Sequence, residues 1–293
     1  MSETKAIKSV LKPRPKDIGE FEVRRALPFI QQRSIGPWVF FDHFGPVDFA
    51  PGEGMNVRPH PHINLATVTY LFEGEIFHRD SLGNAMAIEP GGINLMVAGK
   101  GITHSERTRD ELRAAGYRMH GLQLWHALPE ADEEVDPAFY HHPASDIPQV
   151  DINGVTVRVM MGSAYGVTSP VKTFSETLYI EADLKAGESL NLPTTEERGI
   201  YVVKGELDVH GDTAPIFSMA VLNDTAKTVT AKADTRFALI GGAHLGQRHL
   251  DWNFVSSRKA RLEQAKDDWR AGRFPKVVGD EDEFIPLPGS PIT

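Results

Sequence analysis

Apolar and polar residues alternate through most of the chain in short runs, each closed by a glycine-centred turn. Thr67-Val68-Thr69-Tyr70-Leu71-Phe72, Val155-Thr156-Val157-Arg158-Val159 and Tyr201-Val202-Val203 are rich in β-branched and aromatic side chains. Between such runs lie Glu73-Gly74-Glu75, Ser81-Leu82-Gly83-Asn84, Pro90-Gly91-Gly92, Asn153-Gly154 and Lys204-Gly205-Glu206. Branched and aromatic side chains fit a pleated, half-buried surface, and glycine supplies the backbone angles of tight turns. The pattern therefore predicts short strands closed into a sandwich or barrel. No long helical periodicity appears before residue 100. The charged stretch Ser105–Ala115 has room for a turn or two of helix. The clearest helix runs from about Ser257 to Ala271, with a serine cap and Leu262, Ala265 and Trp269 at helical spacing to dock on a barrel. The acidic, then proline-rich tail Gly279–Thr293 reads as an extended strap.

The segment Tyr70-Leu71-Phe72-Glu73-Gly74-Glu75-Ile76 is echoed by Tyr201-Val202-Val203-Lys204-Gly205-Glu206-Leu207, and each copy precedes another strand. Two barrels of one plan in tandem account for the length. Acidic residues and Pro137, Pro143 and Pro148 cluster between them. The expected division is a first domain over residues 1–135 and a second over 136–293, which also carries the helix and tail.

Composition narrows the chemistry. Across 293 residues, 31 Lys and Arg stand against 40 Asp and Glu, a formal net charge of −9. No basic block is present to neutralise phosphates, so direct nucleic-acid binding is not expected. The absence of cysteine removes disulfides, thiolate nucleophiles, iron–sulfur clusters and every cysteine-based zinc site. The first 16 residues lack the apolar core of a signal peptide, and the longest apolar runs, near Ile93–Ala98 and Phe237–Ala243, are too short to span a bilayer. A soluble, cytoplasmic protein with no membrane partner is the expectation.

Any metal must then be held by histidine or carboxylate. Arg58-Pro59-His60-Pro61-His62 is followed by Thr103-His104-Ser105-Glu106. In a strand, residues i and i+2 share a face, so His60 and His62 point together, as do His104 and Glu106. If the two strands face one barrel interior, three imidazoles and one carboxylate converge. That donor set suits Fe, Mn, Co, Ni, Cu or Zn, and leaves open positions on a six-coordinate ion. A lone His-x-His is a weak signal; a second same-face pair several strands later strengthens it. Gly54, with five residues between it and His60, and Gly74, closing the next strand, add to it.

With those residues in view, the chain resembles the cupin superfamily, and more narrowly the pirins. The resemblance is carried by Asp42-His43-Phe44-Gly45-Pro46, Arg58-Pro59-His60-Pro61-His62, Gly99 to Glu106, His120-Gly121-Leu122-Gln123-Leu124-Trp125 and Trp252-Asn253-Phe254-Val255-Ser256-Ser257. It implies an all-β fold of two jelly-roll-like cupin barrels with a short C-terminal helix. It also implies one divalent metal in the first barrel, bound by His60, His62, His104 and Glu106. Iron(II) is the ion the family implies, with Zn, Mn, Ni, Co or Cu also compatible. Cupins at large place a glutamate after the histidine pair, where this chain has Thr67; pirins draw their carboxylate from the position of Glu106 instead. At the repeat offset, His60 and His62 map to Asn191 and Pro193, so one site per chain is expected.

The resemblance further implies a metal-dependent dioxygenase that opens the central ring of flavonols such as quercetin with O₂, releasing CO. In that reading Glu106 is both ligand and catalytic base for the flavonol 3-hydroxyl. The alternative is a non-catalytic, metal-holding regulator acting through a protein partner; a vestigial structural metal is a third. His43 beside Asp42 reads as a barrel-mouth residue or a structural His–Asp pair, Trp125 as core, and His141-His142 as solvated. His244 and His249 read as structural and Met160-Met161 as core filler.

Overall fold

The computed structural model describes residues 5–19 and 21–289, so residues 290–293 of the expected strap lie outside the described residues. The fold is all-β, two cupin barrels with a short C-terminal helix, Lys259–Arg270, and, among the described residues, one further short α-helix, Asp110–Ala115. No helix among the described residues is long and apolar enough to cross a membrane.

The chain divides into two compact units that are not contiguous stretches. One comprises residues up to Pro15, Arg24–Asp42 and His142–His244; the other comprises Lys16–Val23, His43–His141 and everything from Leu245 onward. A single cut at 135/136, as expected from the sequence, does not separate them. The physical reason is strand pairing at long range. Ile7–Leu11 adds to the edge of a sheet beside Met219–Leu222 and buries Ile7 and Leu11 there. Local hydrophobic pattern carries no information about such a partner.

The unit built around His142–His244 has a seven-stranded sheet. Its order is Ile7–Leu11, Met219–Leu222, Glu197–Lys204, Thr235–Gly242, Thr177–Leu184, Val155–Met161 and Gln149–Ile152. A four-stranded sheet accompanies it. Val157, Val159, Ile180, Ile200, Val202, Leu207, Phe237 and Leu239 belong to one buried aliphatic and aromatic cluster. At the repeat offset of His60 and His62 this barrel carries an exposed Asn191 and a half-buried Pro193.

The other unit carries the histidines. Its four-stranded sheet runs in the order Asn56–His62, Ile102–Arg107, Ile76–Asp80 and Ala85–Ile88. Facing strands include Ile93–Val97, Leu65–Glu73 and Tyr117–Ala127, hydrogen-bonded in that order. Proline lacks the N–H that a central strand must donate, so Pro59 and Pro61 require an edge, and Asn56–His62 is an edge strand. The tail covers this edge: the Ile285 N–H donates to the Pro59 carbonyl at 2.8 Å.

The C-terminal helix starts two residues later than expected. Its N-cap is Arg258, which makes no side-chain cap bond, rather than Ser257. Ser257 is engaged elsewhere, with Glu133. Leu262 and Ala265 are buried in one cluster with Ile63, Phe254 and Leu287, and Trp269 packs against it. The helix thus docks behind the strand that ends in His62.

Candidate metal centre

Two strands supply the site. Ile102–Arg107 lies antiparallel to Asn56–His62 with His104 opposite His60, and the register slips by one residue between His104 and Glu106. The slip falls beside Pro59, which has no N–H to give the ladder. His60, His62 and His104 are all buried, and one nitrogen from each lies within 4.8 Å of the others. His60 and His104 rings stand 4.4 Å apart, and His62 is 5.0 Å from each.

Hydrogen bonds orient two of the rings. His60 Nδ1 meets the Arg58 carbonyl at 2.9 Å and His62 Nδ1 meets the Asn253 carbonyl at 3.0 Å. A carbonyl accepts only, so both Nδ1 atoms carry hydrogen and each neutral ring presents a bare Nε2. His62 Nε2 and His104 Nε2 lie 3.1 Å apart, while His104 Nδ1 is buried without a hydrogen-bond partner. Whichever nitrogen of His104 holds the proton, one polar atom is left unsatisfied. A cation facing the Nε2 lone pairs would relieve the repulsion between them.

Electrostatics agree. Burial holds His60 down to about pKa 4, and burial followed by repulsion from neighbouring imidazoles holds His62 and His104 well below the usual histidine value. Neutral imidazole is the metal-binding form. The residues therefore fit a divalent transition metal.

Glu106 is not part of the three-histidine group. It is buried on the same strand, and Gln123 Nε2 donates to its Oε1 at 3.0 Å. Burial pushes its carboxyl up to about pKa 7, and the Gln123 bond opposes that rise. Trp125 stands edge-on to His62 with rings 5.0 Å apart, so it shapes the site rather than only filling core.

Sequence reasoning missed a dyad. Ile76–Asp80 pairs with the His104 strand, placing His78 opposite Glu106 and Asp80 opposite His104. His78 Nε2 lies 3.0 Å from Asp80 Oδ2, and both residues are buried. His78 also stacks on Phe139 at 4.4 Å. The signal was available: His78 and Asp80 are an i, i+2 pair in a strand. Other candidates fall outside the site. Asp42 is gripped by Arg25 at 2.7–2.8 Å, while His43 Nε2 meets His120 Nε2 at 2.8 Å. His141 is exposed, as expected, and is also bonded to Asn94 at 2.8 Å.

Two cupin barrels, one of them with a buried three-histidine cluster, define a bicupin with a metal-type centre in one barrel. Comparison with known proteins narrows this. The pirin family matches residues 20–126, and the pirin C-terminal cupin domain matches residues 179–275. A pirin-like protein of Caulobacter vibrioides is 47% identical over 285 residues, covering 95% of this chain and 98% of its own. A crystal structure of quercetin 2,3-dioxygenase from Acinetobacter baumannii superposes with a TM-score of 0.88 at 34% identity, covering 97% of this chain and 96% of that one. The bacterial pirin YhhW of Escherichia coli, solved in complex with nickel(II), shares the fold with a TM-score of 0.62 at 19% identity, covering 80% of this chain and 99% of its own. The chain belongs to the pirin family.

Proposed function

We propose that this protein is a metal-dependent dioxygenase that opens the central ring of flavonol-like substrates with O₂ and releases CO. His60, His62, His104 and Glu106 would hold one divalent ion, iron(II) in our reading. When bound, that ion supplies Lewis acidity toward a chelating hydroxy-ketone and a binding position for O₂. The chain's own residues do the rest. The three imidazoles stay neutral because they are buried, so none competes for the substrate's proton. Glu106, with its carboxyl near pKa 7, takes the proton of the flavonol 3-hydroxyl onto a carboxylate oxygen and keeps it out of solvent. Gln123 holds that carboxylate in place, and Trp125 walls the site beside His62.

One observation carries this reading: a buried carboxyl tuned to neutral pH beside three converging neutral imidazoles. The likeness to a quercetin 2,3-dioxygenase supports it. The test is oxygen uptake together with loss of quercetin absorbance, after metal-free protein is reconstituted separately with iron(II), nickel(II) and cobalt(II). Turnover in wild type that Glu106→Gln lowers at least a hundredfold is the expected result. Full metal occupancy without turnover for any ion would overturn the dioxygenase and leave the metal-holding regulator.

A further inference from the structure

We propose that Glu133 is a positioning residue for the metal centre, holding the C-terminal hairpin whose Asn253 carbonyl orients His62. The inference rests on the metal-binding reading above and adds a part of the chain remote from the ligands in sequence.

The hairpin pairs His249–Asp251 with Phe254–Ser256 around a two-residue turn, Trp252-Asn253, in which Trp252 takes a left-handed φ of 53°. A single two-stranded hairpin is marginally stable in water, so its position depends on what ties it down. Its ladder tie to the barrel is slight: an isolated parallel bridge between Ile63 and Phe254, with a 3.4 Å bond from Val255 N to the Ile63 carbonyl. The stronger tie is Glu133, which is buried. Its Oε1 accepts the Ser257 N–H at 2.6 Å, and its Oε2 accepts the Ser257 and Ser256 hydroxyls at 2.9 and 3.3 Å. Arg248, at the start of the hairpin, brings Nε to 3.5 Å from Glu133 Oε1 and donates to the Leu128 carbonyl at 3.1 Å.

The other side of Glu133 reaches the ligand strand itself. Its backbone carbonyl accepts Asn64 Nδ2 at 2.6 Å, and Asn64 lies two residues past His62 with φ 57°. Glu133 thus grips both bodies whose separation sets the His62–Asn253 bond: the strand end through its main chain, the hairpin through its carboxylate. Partners behind a ligating histidine fix its tautomer and ring angle, and their loss typically weakens metal binding about 10–100-fold. This also explains the Trp252-Asn253-Phe254-Val255-Ser256-Ser257 segment. One carbonyl serves His62, Phe254 fills the core behind Ile63, and the two serines hold the whole in register.

The test is titration of the metal-free, full-length protein with cobalt(II), following the visible absorption bands, alongside thermal melting without metal. We expect Glu133→Ala to weaken cobalt(II) binding roughly 10–100-fold and to shift the bands while the metal-free protein still melts cooperatively. Ser257→Ala should weaken binding in the same direction by less, and Ser257→Thr should restore it. Wild-type affinity and bands in Ser257→Ala and Glu133→Ala, even with a lowered melting temperature, would overturn the positioning role alone. If Glu133→Ala fails to fold, Ser257→Ala decides by the same criterion. Failure of the wild type to bind cobalt(II) would overturn the metal centre and this inference together.

Discussion

The Nε2 atoms of His62 and His104 lie 3.1 Å apart in a buried site where neither ring is readily protonated. Two lone pairs at that separation repel unless a proton or a cation stands between them, and the third imidazole, His60, faces the same point.

Metal should therefore stabilise the fold. An ion that binds only the native state, supplied at one hundred times its Kd, adds about 2.7 kcal/mol. Calorimetry of metal-free protein with and without added iron(II) or cobalt(II) should show a raised Tm for the unit that carries the histidines. His62→Ala should abolish the increment. An equal increment in that variant would place the ion elsewhere.

Gln123 is the donor that keeps the Glu106 carboxyl from rising further. Gln123→Leu leaves burial unopposed, so the carboxyl should titrate above its present value of about 7. In the proposed reaction the acid limb of kcat against pH should move up by roughly one unit, with about a fivefold loss at pH 7 that recovers at higher pH. A uniform loss at every pH would mean that Gln123 contacts substrate instead.

Asp80 is a buried carboxylate whose acceptor sites are filled. It takes the Leu82 and Asn84 N–H groups, the Asn84 amide and His78 Nε2 at 2.9–3.1 Å, and these bonds keep its carboxyl below the ordinary range despite burial. Asp80→Ala would leave those donors unpaired inside the protein, at a cost of about 3–5 kcal/mol in urea unfolding. A loss under 1 kcal/mol would show that this cluster does not hold the turn from 81 to 84.

Glu181, in the other unit, makes stability fall as pH rises. Burial raises its carboxyl to about pKa 8, and Tyr179 Oη donates to it at 2.7 Å. The folded state holds its proton more tightly than the unfolded state, whose value is near 4.5. Its contribution is thus complete below about pH 4.5 and is lost as pH climbs through 8. At about 1.4 kcal/mol per pKa unit the effect reaches several kcal/mol. Melting curves between pH 5 and 9 should slope downward for wild type and lose most of that slope in Glu181→Gln. An unchanged slope would sink the assignment.

The period-two pattern and the turn glycines determined by themselves that the chain is built of short β-strands, because strand formation depends on neighbours a few residues away, and the internal repeat made that two barrels. The same short range made His60, His62 and His104 legible: side chains at i and i+2 share a face wherever the strand goes. Other features were settled only by tertiary structure. Which unit the ends of the chain join depends on a sheet edge more than 200 residues from Ile7. Glu106 shares a strand with His104, yet its carboxyl is turned to Gln123 and tuned by burial, a property of the packed interior. The acceptor behind His62 is a main-chain carbonyl, and every residue has one. No side-chain pattern could single out Asn253, because its role comes from where the hairpin is held rather than from what the residue is.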